Sequence, residues 1–144
     1  MAKIIELREL RNKNYVFRDR IHAGELLAGE LKPYIGKDFM VLAIPSGGVP
    51  VGSVIAKELG LQMDLIIVRK LPIPYNTEAG FGSISWNGEV KLNEKLVEQL
   101  QLSDSEIDSI IADVKRELDK RMEIFRGKRL FPDLEGRTAI IVDD

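Results

Sequence analysis

Apolar positions along the chain fall into two rhythms. From Phe17 onward, "FRDRIHAGELLAGELKPYI" sets Phe17, Ile21, Leu27 and Leu31 at helical spacing, with Leu26 widening the stripe, until Pro33 and Gly36 interrupt it. The spacing predicts a helix of about four turns. "DFMVLAIP" is instead a short unbroken apolar run, bounded by a charge and a proline, and predicts a strand buried on both faces from Phe39 to Ile44. After "PSGGVP", the stretch "VGSVIAKELGL" reads as a helix that stops at Gly60, where glycine takes a left-handed conformation easily. "MDLIIVRK" then reads as a second buried strand. Two such strands joined by one helix make a βαβ unit, which requires a parallel sheet with helices on its faces. The predicted class is α/β.

Between Leu71 and Asn87 the periodicity fails. "LPIPYNTEAGFGSISWNG" mixes prolines and glycines with Tyr75, Phe81 and Trp86, and reads as a long loop of functional or mobile character. Its later part, Gly82 to Leu92, is able to form a hairpin around Asn87-Gly88, a strong two-residue turn signal. "SDSEIDSIIADVKRELDKRMEIFRG" opens with Ser103 and Glu106 at capping-box spacing and carries Ile107, Ile110, Ile111, Val114, Leu118, Met122 and Phe125 along one face. It predicts a long amphipathic helix ending at Gly127. "RTAIIVDD", the final stretch, predicts a third buried strand closed by two acids. No internal repeat or low-complexity segment is visible.

Composition narrows the partners. The 144 residues match the size of one domain, and 44% hydrophobic and 31% charged residues with a net charge of -2 describe a globular chain without bulk attraction for nucleic acid. The absence of cysteine removes disulfides, thiolate nucleophiles and cysteine metal sites. No apolar run reaches the roughly 18 residues of a membrane span, and the expected location is the cytoplasm, with neither membrane nor nucleic acid as partner.

Ligands of open parallel sheets bind beyond the carboxyl ends of the strands, so three strand ends carry the candidate chemistry. Ser46, Gly47 and Gly48 stand between a strand and a helix, where unshielded amides and the helix amino terminus suit a phosphate or pyrophosphate; a tight turn using glycine for geometry alone would read the same way. Arg69 and Lys70 close the second strand with two cations, either merely solvated or placed to neutralise a polyphosphate. Asp143 and Asp144 close the third, either as an exposed acidic end or as acceptors for sugar hydroxyls or metal-bound water. A serine hydrolase based on Ser46 is disfavoured, because the G-x-S-x-G elbow is missing and the single histidine, His22, lies on the early helix.

Together these ends resemble the type I phosphoribosyltransferases, and more narrowly the bacterial and archaeal group described as predicted phosphoribosyltransferases. The likeness runs from Phe17 through the rest of the chain. "PSGGVPVG" resembles the family's pyrophosphate loop, "VRKLPIPYNTEAGFGSI" its basic strand end and closing loop, and "AIIVDD" the first half of its signature for 5-phosphoribosyl-1-pyrophosphate (PRPP). The resemblance implies that Ser46, Gly47 and Gly48 hold pyrophosphate, that Arg69 and Lys70 offset its charge, and that Asp143 and Asp144 bind the ribose. Glu78, Gly80 and Gly82 would belong to the closing loop, with Glu78 grouped with Arg69 and Lys70 as catalytic. It further implies a Mg²⁺ ion bound through PRPP and a nitrogenous acceptor, with a possible homodimer.

The family's 5-phosphate loop, which would follow the acids, is not in this sequence. The expectation is therefore a single, incomplete phosphoribosyltransferase domain lacking its last elements, weakly active or inactive alone. The alternative is a non-catalytic regulatory or assembly module that keeps the fold.

Overall fold

A computed structural model describes residues 4–144. In chain order it contains α1 (Arg20–Leu31), β1 (Phe39–Ala43), α2 (Gly48–Leu59), β2 (Gln62–Leu65), β3 (Val68–Ile73), β4 (Asn76–Ser85), β5 (Val90–Leu92), α3 (Glu94–Leu100), α4 (Asp104–Arg126) and β6 (Thr138–Val142). The strands form two sheets. One is parallel with order β2-β1-β6, the other antiparallel with order β3-β4-β5. The α/β class and the parallel sheet flanked by helices are as the sequence predicts.

β1 is the central strand, and it is buried on both faces, whereas β6 leaves apolar residues exposed. Val41, with Val142, packs on Ala28, Val51, Ile55 and Ala56 of the helix pair, while Met40 and Leu42 face Ile66 with Trp86, Phe131 and Leu134 against them. Gly60 ends α2 in the left-handed region, at φ 66°, as its sequence suggested. The register sets Leu65, Ala43 and Val142 side by side. Whatever follows these three residues shares one edge of the sheet.

α1 forms where expected but buries a different face. Its buried residues are Gly24 and Ala28, whereas Phe17, Ile21, Leu26 and Leu27 are exposed. The cause is close approach to α2: a Cβ at Gly24 would lie 2.8 Å from Val54 Cβ and 2.9 Å from the Val51 carbonyl oxygen. Small residues one turn apart let the two helix backbones touch, and Phe17 and Leu27 are left to line an outer groove with Leu7, Leu10, Leu31 and Tyr34.

The second predicted strand is in fact two. "MDLIIVRK" is divided at Ile66-Ile67 between β2 in the parallel sheet and β3 in the antiparallel one. Ile66 belongs to the core around Met40 and Leu42, and Ile67 to a second core with Leu71, Phe81 and Ile84. The long loop expected over 71–87 is likewise corrected: β3 and β4 pair across it, with register irregularities beside Pro72. Proline has no N–H to give the ladder and is accommodated at such a bulge. The expected hairpin at Asn87-Gly88 is present, linking β4 to β5.

α4 covers this antiparallel sheet, burying Ile107, Val114 and Leu118. Its capping box is formed as the sequence predicts: the Glu106 amide donates to Ser103 Oγ, and the Ser103 amide donates to Glu106 Oε2. At its far end Arg126 is buried and reaches back to β2, pairing with Asp64. That contact ties α4 to the parallel sheet.

Candidate active site at the carboxyl edge of the parallel sheet

Strand order turns about β1, which has β2 on one side and β6 on the other, and the crevice beside such a strand end is where ligands bind in open α/β sheets. The backbone leaving β1 is folded by its own hydrogen bonds. The Ile44 amide donates to the Val142 carbonyl at 2.9 Å, and the Gly48 and Val49 amides donate to the carbonyls of Ile44 and Ser46 at 3.1 and 3.3 Å. Those two amides are spent within the turn. The amides of Ser46 and Gly47 have no acceptor among the described residues. The Pro45–Ser46 peptide is cis.

The end of β6 lies directly against this loop. A Cβ at Gly48 would stand 2.5 Å from the Val142 carbonyl oxygen and 3.0 Å from Asp143 Cα, and a Cβ at Gly47 would collide with the Asp144 carboxylate. Close approach of backbone therefore requires glycine at Gly48, while at Gly47 the obstacle is a side chain. The sequence predicted both motifs separately, and the β1–β6 register brings them into contact.

A residue the sequence did not single out completes the cluster. Arg20, the first residue of α1, donates from Nε to Asp144 Oδ2 at 3.0 Å, and its Nη2 contacts the same oxygen. Its position follows from the helix start, where Asp19 Oδ1 accepts the His22 amide at 2.8 Å, and from the packing of α1 on α2. Arg20, Ser46, Gly47, Pro50 and Asp144 line a cavity of about 370 Å³. An apolar cavity of about 400 Å³, walled by Phe17, Ala23, Leu27 and Val51 and reaching Asp143, shares Arg20 and Asp144 with it. Only the 124-residue separation of the ion pair hid Arg20, since nothing local in "FRDRIH" points to Asp144.

Arg69 and Lys70 are placed differently from the expectation. They do not end a parallel strand but lie at the start of β3, paired with Ile84 and Ser83 of β4. Arg69 Nη2 pairs with Glu117 Oε2 at 2.9 Å, and its buried Nε has no hydrogen-bond partner among the described residues. Lys70 Nζ donates to the Glu78 carbonyl, so the Lys70–Glu78 relation runs through backbone and not through the Glu78 carboxylate. Gly80 and Gly82 are residues of β4, opposite Pro72 and Leu71. A Cβ at Gly82 would meet the Lys91 carbonyl oxygen at 2.5 Å, which makes it a sheet-packing glycine.

The aromatic residues divide by role. Phe81 is fully buried, and Trp86 stacks on Phe131 with ring centroids 4.7 Å apart, so both anchor the core. Tyr75, at 90% exposure in the turn between β3 and β4, is the one that stays free of the core. His22 accepts the Arg18 amide at Nδ1, 3.2 Å away, and meets Phe17 edge-on. Among the described residues no group of three or more acids or histidines is arranged to hold a metal ion by itself, and no helix is long and apolar enough to cross a membrane.

This architecture is shared with a solved structure. TT1426 from Thermus thermophilus superposes with a TM-score of 0.67 at 36% identity, over 89% of this chain and 61% of that one. Two curated proteins from strains of Mycobacterium tuberculosis, named "Putative phosphoribosyl transferase Rv0571c" and "Putative phosphoribosyl transferase MT0597", are each 40% identical over 129 residues. Those matches take in 90% of this chain but 29% of each relative, so the chain spans under a third of the curated relatives' length. No family model matches the chain.

Proposed function

We propose that this chain carries the PRPP-binding half of a type I phosphoribosyltransferase site. The observation that carries the reading is the packing of Asp143 and Asp144 onto Gly47 and Gly48, which joins an anion-accepting loop to a pair of hydroxyl acceptors at one strand edge. The names of the curated relatives point the same way. Pyrophosphate is assigned to the Ser46–Gly48 loop, whose two unspent amides supply donors without a charged side chain. The ribose 2- and 3-hydroxyls are assigned to Asp143 and Asp144, since ionised carboxylates only accept.

The reaction is displacement at C1 of the ribose. The C1–O bond breaks with its electron pair leaving on pyrophosphate, a nitrogen of the acceptor forms the new bond to C1, and the acceptor loses a proton. The site's contribution is to orient the ribose and stabilise charge on the leaving group. Two carboxylates without a third ligand suit a Mg²⁺ that arrives on the substrate's phosphates and keeps several waters. When bound there, its chemistry is neutralisation of the pyrophosphate. Arg69, Lys70 and Glu78, at the root and along the arms of the β3–β4 hairpin, are assigned to a closing element.

Calorimetric titration with PRPP and Mg²⁺ tests the assignment. Binding is expected for the wild-type chain and a loss of about tenfold or more for Asp143→Asn/Asp144→Asn. Absence of PRPP binding by the wild-type chain overturns the reading. Release of pyrophosphate with a panel of purines, pyrimidines and simple amines then identifies the acceptor.

A second reading, an assembly module, is favoured by one observation: β6 is an edge strand with Ile141 64% exposed, and apolar edges invite pairing. A homodimer in light scattering that is indifferent to PRPP supports it over the enzyme.

A further inference from the structure

Arg20 occupies a place in this site that its pairing with Asp144 alone does not explain. Both Nε and Nη2 of the guanidinium converge on one carboxylate oxygen, a fork that matches phosphate as well as carboxylate. The carboxylate it holds covers Gly47, where a side chain would collide with it. That carboxylate lines one cavity with Ser46 and Gly47, whose amides have no acceptor among the described residues. An anion entering the loop and the Asp144 carboxylate cannot share this space, because like charges in contact repel strongly. The pair is also open to water, with side-chain exposures of 56% for Arg20 and 36% for Asp144, and solvated ion pairs contribute little stability. It is built to be exchanged.

We infer that Arg20 is a further anion-binding residue of this site. In the ligand-free state it holds Asp144 in the position of a phosphate group; on binding it passes to a phosphate of the entering polyphosphate and releases the Asp144 carboxylate toward the ribose. The inference rests on the anion-binding reading of the Ser46–Gly48 loop. It adds a cation from α1 to a loop that otherwise offers only amides, and it makes ligand entry and the freeing of Asp144 one event. The common cavity lined by Arg20, Ser46, Gly47, Pro50 and Asp144 gives the exchange its room.

The test is calorimetric titration of the whole chain with pyrophosphate and Mg²⁺, using wild type, Arg20→Gln, Arg20→Lys, Asp144→Asn and the double variant Arg20→Gln/Asp144→Asn. Arg20→Gln is expected to weaken pyrophosphate about ten- to a hundredfold, as for loss of a charge-assisted contact, with part of the affinity restored in Arg20→Lys. Asp144→Asn, which removes the competing carboxylate, is expected to tighten pyrophosphate several-fold, and the double variant to fall below Asp144→Asn. Thermal melting of each variant tracks folding, and Arg20→Lys keeps the charge should Arg20→Gln fold poorly. If wild type binds pyrophosphate and Arg20→Gln binds it equally well, the role of Arg20 is refuted while the loop reading stands. If Asp144→Asn weakens pyrophosphate as much as Arg20→Gln does, the pair is structural and the exchange is refuted. If wild type binds no pyrophosphate, the loop reading itself fails and takes this inference with it.

Discussion

Gly47 and Gly48 are neighbours that tolerate a side chain very differently. At Gly48 the obstacles are backbone atoms of β6, the Val142 carbonyl oxygen at 2.5 Å and Asp143 Cα at 3.0 Å, so Gly48→Ala must push the strand or the loop aside. Overpacking of this kind costs about 1–3 kcal/mol, roughly 3–10 °C in Tm for a chain of this size. At Gly47 the obstacle is the far end of the Asp144 side chain, which is able to swing away. Gly47→Ala is therefore expected to melt close to wild type while displacing Asp144 from Arg20. Scanning calorimetry of the two variants checks this, and equal destabilisation would contradict it. At this scale the motifs were legible and their meeting was not. "PSGG" and "VDD" each announce a strand end, but that they touch depends on β6 lying beside β1, which no residue in either motif encodes.

Elements were legible where a single core shaped the pattern. β1, α2 and α4 follow their apolar rhythms because each faces one environment along its length, or, for β1, one on each face. The division between β2 and β3 left no mark, because Ile66 and Ile67 are both buried, in different cores, and the apolar run continues unbroken across the boundary. In β3 and β4 the prolines and glycines masked a hairpin whose cohesion comes from Leu71, Phe81 and Ile84 packing beneath α4. α1 misled for the opposite reason: its large residues are conspicuous, yet helix–helix contact is made by Gly24 and Ala28. The cap of α4 gives an element-scale prediction. Hydrogen bonds from the backbone and then the hydroxyl of Ser103 lower the pKa of the exposed Glu106. A carboxylate whose folded pKa is depressed contributes stability above its unfolded pKa, and that contribution is lost as pH falls through the folded value. Wild type and Glu106→Ala should therefore differ in Tm at neutral pH and converge in acid below the ordinary glutamate range. A gap that persists unchanged into that range would show that the charge on Glu106 is irrelevant to the cap.

At the scale of the whole molecule, the two sheets are coupled through Arg126. Its side chain is 2% exposed, it pairs with Asp64 through both oxygens, with Nη2 3.2 Å from Oδ2, and it donates to the carbonyls of Leu65 at 3.1 Å and Leu130 at 2.9 Å. Its guanidinium also lies over the Phe131 ring, 4.8 Å from the centroid, and Phe131 stacks on Trp86 at the β4–β5 hairpin. One side chain thus joins the end of α4, the end of β2 and the segment leading to β6. Charges removed from water are costly, and taking away one partner leaves the other buried and uncompensated, at about 3–5 kcal/mol. Arg126→Ala is expected to destabilise by that amount and to loosen the approach to β6, on which the position of Asp143 and Asp144 depends. Asp64→Leu/Arg126→Met, which removes both charges and fills the space, should recover a large part of the loss, since apolar replacement of a buried pair is often neutral. Urea unfolding of the single and double variants separates the cases. If the double variant is as unstable as Arg126→Ala, the carbonyl contacts and the Phe131 stack, and not the ion pair, hold the two sheets together.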